Sequence, residues 1–354
     1  MLIRLISGDT PRSPILAAIL LIILLGLAFA PFVFPGTRSV DTAARICIFI
    51  VLVASYDLML GYAGIVSFAH TMFFGIGAYG VALASIHMGR GFDALVVGSV
   101  SGAIAAAVLA LVIGLFSLRV RAIFFAMITL AVASAFAVLV SQLSNLTGGE
   151  DGLNYQIPRA LTAAQRYLEE PFFGVRVNGK LVNYYVVFFG SLIVFLILLR
   201  IVNSPFGRVL QAIRENDFRT EAIGYRVVYY RTTATILSAV AASLAGSLFA
   251  IWLRYVGPDT TLSFDIMIDI LLMVVIGGMG TMYGAMIGAT IFVLAQNYLQ
   301  NLMGAAEEAL QSVGVPLLPL FLNPDRWLLW LGILFVLSVY FFPTGVVGRL
   351  RRRG

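Results

Sequence analysis

Uninterrupted apolar runs of about 20 residues recur along this chain, and they constrain its fold more than any other feature. A helix needs ~20 apolar residues to cross a bilayer. Runs of that length do not suit a membrane β-barrel, whose strands alternate apolar and polar positions over shorter segments. Charge points the same way: only 11% of the 354 residues are charged, against roughly 25% in soluble domains. A chain so poor in charge cannot cover a water-facing surface. The expected fold class is all-α, a polytopic membrane helical bundle, read as a single membrane domain over 1–354.

Ten spans are expected, near 14–34, 43–61, 66–88, 94–117, 122–143, 183–202, 232–253, 263–279, 284–303 and 326–343. The first is followed by Pro35-Gly36 rather than a small-residue cleavage site, so it reads as a transmembrane helix and not as a cleaved signal. Placing the N-terminus in the cytoplasm and alternating puts 14 of the 23 basic residues inside, including six arginines between Arg200 and Arg231 and four more at Arg349 and Arg351 to Arg353. The nine outside include four in one long loop, which is a weak topology determinant. Both termini are therefore expected in the cytoplasm. The net charge of +6 follows from this topology and gives no reason to invoke nucleic acid. Trp252, Trp327 and Trp330 lie near span ends and read as interface anchors.

Two hydrophilic segments remain, 144–182 outside and 203–231 inside, and neither is large enough for a catalytic domain. Within the first, Gly174-Val-Arg-Val-Asn-Gly179-Lys180-Leu181 approaches a phosphate-binding loop but lacks the Ser or Thr that would hold magnesium. Asn178-Gly179 between Val-Arg-Val and Lys-Leu-Val reads better as a two-residue β-hairpin turn. No nucleotide motif occurs elsewhere, so any ATP must be hydrolysed by another chain. Cys47 is the one cysteine, and no catalytic or metal-ligating set can be assembled.

In the inner segment, Ser204-Pro-Phe-Gly207 closes the sixth span. Arg208 to Ala222 then reads as an amphipathic helix with Val209, Ala212 and Ile213 on one face and Gly224 as its break. Such a helix can rest on lipid headgroups or dock into a partner protein. The interleaved Glu215, Asp217 and Glu221 favour docking, since anionic headgroups would repel them.

Several motifs stand in order along the chain. Gly61-Tyr-Ala-Gly-Ile-Val-Ser-Phe-Ala-His70 runs into Phe73-Phe-Gly-Ile-Gly-Ala-Tyr79, and Thr147-Gly-Gly-Glu-Asp-Gly152 and Ser204-Pro-Phe-Gly-Arg208 come after it. Ala212-Ile-Arg-Glu215, Glu221-Ala-Ile-Gly224, Ile276-Gly-Gly-Met-Gly-Thr281 with Gly284, and Phe341-Phe-Pro-Thr-Gly345 complete the set. Together they resemble, in family order, the branched-chain amino acid importer permeases of the LivM type. The resemblance implies an ABC importer built from this chain, a second homologous permease, two cytoplasmic ATPases carrying ATP and magnesium, and a periplasmic substrate-binding protein. It implies the bacterial inner membrane as location, no cofactor in this chain, and branched-chain or related amino acids as cargo. It also makes Arg208, Arg214, Glu215, Glu221, Ala222 and Gly224 the ATPase-coupling set. Asp57 stands where many relatives carry Asn, and the Ile-x-Leu-Pro of the long coupling motif is missing.

Glycines at 61, 64, 75 and 77, and again at 277, 278 and 280, admit two readings. Small residues let helices pack closely. They can equally break a helix and expose backbone to a translocation path. Gly61, Gly64, Gly75, Gly77, Gly277, Gly278 and Gly280, with Asp57 and His70, are the pathway candidates. An intramembrane Asp costs about 2.5–3.5 kcal/mol on insertion scales, so Asp57, Asp265 and Asp269 each require an explanation. Asp57 can accept backbone hydrogen bonds at the Gly61 turn or serve the path. Asp265 and Asp269 share a helix face and can sit at the interface or line a vestibule. Acting as ion-coupling groups, the three aspartates would instead make the chain a secondary transporter, the alternative reading.

Overall fold

The computed structural model describes residues 13–34, 36–117, 122–168, 176–313, 326–341 and 345–352. It is helical nearly throughout, as expected where no water is present to satisfy an exposed backbone. In chain order the first helices are α1 (Pro14–Val33), α2 (Thr37–Asp57), α3 (His70–Met88), α4 (Phe92–Ser117), α5 (Ala122–Gln142) and the short α6 (Ser144–Thr147). They are followed by α7 (Gly179–Val202), α8 (Pro205–Glu215), α9 (Asp217–Ala222), α10 (Val227–Leu253) and α11 (Pro258–Thr261). The last are α12 (Phe264–Gly277), α13 (Met282–Val313), α14 (Trp327–Phe341) and α15 (Gly345–Arg352).

Among the described residues, nine helical segments are long and apolar enough to cross a membrane. They match the first nine expected spans, although α2 begins at Thr37, α7 at Gly179 and α10 at Val227, before the apolar runs do. At the tenth, α14 has 15 described residues, fewer than the ~20 of a full span.

The bundle is built around α2, whose apolar window is 83% buried, whereas that of α5 is 17% buried. Apolar side chains on α1, α4 and α5, such as Ile22, Val96 and Ile123, face outward. Helices α3, α4 and α10 pack most tightly, because glycines bring their backbones together. A side chain at Gly77 of α3 would overlap the Ser243 carbonyl of α10, and one at Gly246 of α10 would overlap the Phe74 carbonyl.

A two-stranded antiparallel pairing closes one end of the bundle. β1 (Leu153–Asn154) lies against β2 (Tyr255–Val256), with Leu153 opposite Val256. The Tyr155 hydroxyl anchors this region by donating to the Ala250 carbonyl at 2.6 Å. The Thr147–Gly152 motif makes the turn into β1. Gly148, Gly149 and Gly152 all have positive φ, and the Thr147 hydroxyl bonds back to Val140 and Leu143 of the preceding helix end.

Three local expectations are corrected. Asn178-Gly179 is not a hairpin turn: Asn178 is the N-cap of α7, its side chain accepting from Leu181 N at 3.2 Å. Capping won because Asn satisfies an otherwise orphaned helix N–H. The strand-like pairing lies upstream, where Tyr167 N donates to Val177 O and Gly179 N to Gln165 O. The segment 208–222 is not one helix either. Asn216 is extended, φ −160, and caps α9 by accepting from Arg219 N at 2.9 Å. Trp252 is buried rather than set at an interface, edge-on to Tyr184. The side chain of Trp327 lies outside the described residues.

Candidate functional site

Helix α2 does not stop cleanly at Asp57. It widens into a π-helical turn, Leu58–Tyr62, and the chain then runs non-helically until α3 begins at His70. Helix α12 ends at Gly277, and the chain turns through Gly278 (φ 115) and Gly280 (φ 80) before α13. Only glycine adopts such backbone readily. These two breaks, far apart in sequence, meet in space.

Asp57, 1% exposed, joins them: its Oδ1 accepts the Gly280 N–H at 2.9 Å. Gly61 has to be glycine here, because a Cβ would overlap Asp57 Oδ1 and press on Gly280 N. Arg214 reaches the same point from α8. Its Nη1 donates to the Gly61 carbonyl, its aliphatic stem passes Gly64, and its charge acts on Asp57. The C-terminal helix touches the junction too, since a side chain at Gly345 would overlap Gly278 Cα. Residues 342–344 of the closing motif lie outside the described residues.

The junction gathers Asp57, Gly61, Gly64, Gly277, Gly278, Gly280 and Arg214 within one set of contacts. The other pathway candidates sit elsewhere. Gly75 and Gly77 lie in the unbroken α3, where a side chain would meet Leu262 and Ser243 respectively, so their observed role is packing. His70 is fully buried, with Nε2 2.8 Å from Ser55 Oγ and 3.3 Å from the Leu52 carbonyl, and it holds the start of α3 to α2. Asp265 is exposed, while Asp269 is half-buried against Gln296 of α13.

The coupling candidates divide in the same way. Arg208, Arg214, Glu215, Glu221, Ala222 and Gly224 are all exposed, and among them Arg214 sends its guanidinium to the Gly61 carbonyl. The buried face of α8 is Gly207, Leu210 and Ile213 rather than Val209, Ala212 and Ile213. Phe206 stacks on Tyr230, and Asp217 pairs with Arg231 at 3.6 Å, so α8 and α9 are fastened to α10. Sequence reasoning missed Phe218 and Ile223, which are 82% and 69% exposed beside Glu221 and Gly224. The available signal was their position. Phe218 stands between Asp217 and Arg219 in a segment too polar to enter the membrane.

A crevice of about 510 Å³ separates α5 from α3, α11 and the start of α12. Its lining runs along α5 from Leu130 to Gln142, about 18 Å of helix at ~1.5 Å per residue. Glu150 and Asp259 flank it, and Phe68 and Thr71, beside the first helix break, also line it. None of the residues expected on the pathway lines this crevice.

The family described as branched-chain amino acid transport system / permease component matches residues 39–339. The high-affinity branched-chain amino acid transport system permease protein LivM of Salmonella typhimurium is 26% identical over 309 residues, covering 84% of this chain and 71% of its own. The protein of the same description from Escherichia coli is 27% identical over 309 residues, with the same coverage. No solved structure matches the chain. The family match spans most of the sequence, and the chain belongs to this family.

Proposed function

We propose that this member of the branched-chain amino acid transport permease family is one pore-forming subunit of an ATP-driven importer of the inner membrane, carrying branched-chain or related amino acids. A second homologous permease completes the pathway, two cytoplasmic ATPases hold ATP and magnesium, and a periplasmic protein delivers the substrate. In this reading α8 and α9 lie on the cytoplasmic side, with both termini.

One observation carries the proposal. The polar α8–α9 segment exposes Phe218 and Ile223 on one side, and on the other sends Arg214 to the broken ends of two spans. Exposed apolar side chains flanked by charge suit a docking surface better than a water-facing one. When the ATPases close on that surface, the displacement of α8 is delivered through Arg214 to the Gly61 carbonyl. Gly64, Gly278 and Gly280 then absorb the backbone rotation, as hinges at element ends do. Asp57 keeps the two breaks moving together. The crevice along α5 supplies this subunit's share of the pathway.

The test is uptake by the complex purified from its own membrane and placed in proteoliposomes. Leucine uptake that needs enclosed ATP and the binding protein, and that ignores an ionophore, is the expected result. Uptake by this chain alone, abolished by an ionophore, would instead establish an ion-coupled transporter.

A further inference from the structure

We infer that the pocket at the opposite end of the bundle binds a free α-amino acid with an apolar side chain. The inference rests on the importer reading and adds a substrate site on the permease itself, separate from the α5 crevice.

The pocket lies where α2 and α7 begin and α10 ends, which is the periplasmic end in that reading, and it holds about 270 Å³. Drug-sized sites span roughly 300–1,000 Å³, so this volume suits a single small metabolite. Its chemistry has three parts, which match the three parts of such an amino acid.

The first is cationic. Arg45 and Arg254 line the pocket and make no salt bridge among the described residues. Guanidinium groups take a carboxylate bidentately, with a directionality that an ammonium lacks. Arg254 is also the one non-glycine residue with positive φ (60°) among those described. That conformation is the left-handed cap that ends α10, and it sets where the Arg254 side chain leaves the helix.

The second is an acceptor corner. Asn183, 3% exposed, donates its amide N–H to the Ile251 carbonyl at 3.2 Å, while its Oδ1 has no partner among the described residues. Asp41 is beside it, with Oδ1 bridged to Lys180 at 3.0 Å. A buried acceptor without a donor is rare, and next to a carboxylate it suits an ammonium group. The third part is the apolar wall of Leu161, Phe249 and Trp252, the last with Lys180 Nζ 5.5 Å from its ring centroid. An inorganic phosphate would use the arginines and leave Asn183 and Asp41 unmet.

The experiment measures tritiated leucine binding to the purified detergent-solubilised complex in the absence of the binding protein. Saturable binding is expected, displaced by isoleucine and valine but not by leucine methyl ester, which has no carboxylate. Combined Arg45→Gln and Arg254→Asn substitution is expected to weaken binding at least about tenfold, since charge-assisted bonds are the stronger ones. Asn tolerates the backbone of residue 254. Co-purification of the variant complex in normal yield establishes that it folds.

Absence of leucine binding to the wild-type complex at millimolar concentration overturns the inference. So does a variant that binds leucine normally, or a methyl ester that competes as well as leucine, a comparison that needs no variant. Variants that lose the binding protein while keeping leucine would make the pocket a protein-docking surface and overturn it as well. ATP-driven uptake is measured alongside. Uptake without pocket binding leaves the importer reading standing alone, while absence of uptake removes that reading and the inference with it.

Discussion

Asp57 Oδ1 and the backbone N–H of Gly280, 223 positions apart in sequence, are 2.9 Å apart in the structure. Through this bond the unwound end of α2 and the turn after α12 form one unit. Removing the acceptor in Asp57→Ala leaves a part-buried N–H unpaired, which costs about 1 kcal/mol. A lowered melting temperature and reduced uptake are expected, with Asp57→Asn milder because it retains an acceptor. Equal stability of Asp57→Ala and wild type by thermal unfolding in detergent would remove Asp57 from this role.

Glycine is required at the junction for two separate reasons. Gly61→Ala drives a methyl into Asp57 and Gly280, and Gly280→Ala adds a side chain at φ 80. Both are expected to lower complex yield and transport, by steric overlap at Gly61 and by backbone strain of about 1–3 kcal/mol at Gly280. Gly26→Ala in α1 is the control, since nothing lies within 4 Å of its added methyl. Helix propensity favours that change by about 1 kcal/mol. Similar losses at all three positions in a pull-down would contradict the account.

Phe218 and Ile223 touch little within the chain. Phe218→Ser with Ile223→Ser is therefore expected to leave the fold within ~0.5 kcal/mol, as ordinary surface changes do. If the pair anchors the ATPase, its affinity should fall by about 30-fold, the equivalent of ~2 kcal/mol at an interface hot spot. Titration of ATPase onto immobilised permease measures this. Unchanged affinity would assign the pair to the lipid surface.

Packing of α3 against α10 depends on Gly77, whose missing side chain lets Ser243 approach. Gly77→Val is expected to destabilise the protein by more than the ~1–3 kcal/mol of ordinary overpacking, because the obstacle is backbone. Loss of folded protein in size-exclusion chromatography is the expected readout, and a monodisperse, active variant would contradict it.

The spans were legible because lipid imposes one rule on every residue of a span. The paired breaks were only half legible. Gly61 and Gly64, like Gly277, Gly278 and Gly280, stood out as clusters, but nothing local says that Asp57 accepts from Gly280. Nor did composition separate the clusters from Gly75 and Gly77, which pack inside an unbroken helix. Asn178-Gly179 misled because the same dipeptide serves as a turn and as a cap with its first helical residue, and the long apolar run after it decides for the helix. Asn216 misled in reverse: the amphipathic period runs through it, yet its side chain caps a second helix. Arg214 stood out as one of a surface set, and only the tertiary fold brings its guanidinium to the Gly61 carbonyl.

The most direct test of the account compares ATP hydrolysis with leucine uptake in proteoliposomes carrying Arg214→Gln. Among the described residues, Arg214 is the side chain of α8 that bonds to the Gly61 turn. The account predicts a complex that assembles and hydrolyses ATP while uptake per ATP falls at least about tenfold, the equivalent of ~1.4 kcal/mol of coupling. Uptake per ATP equal to wild type would show that closure reaches the membrane by another route and would contradict the central claim.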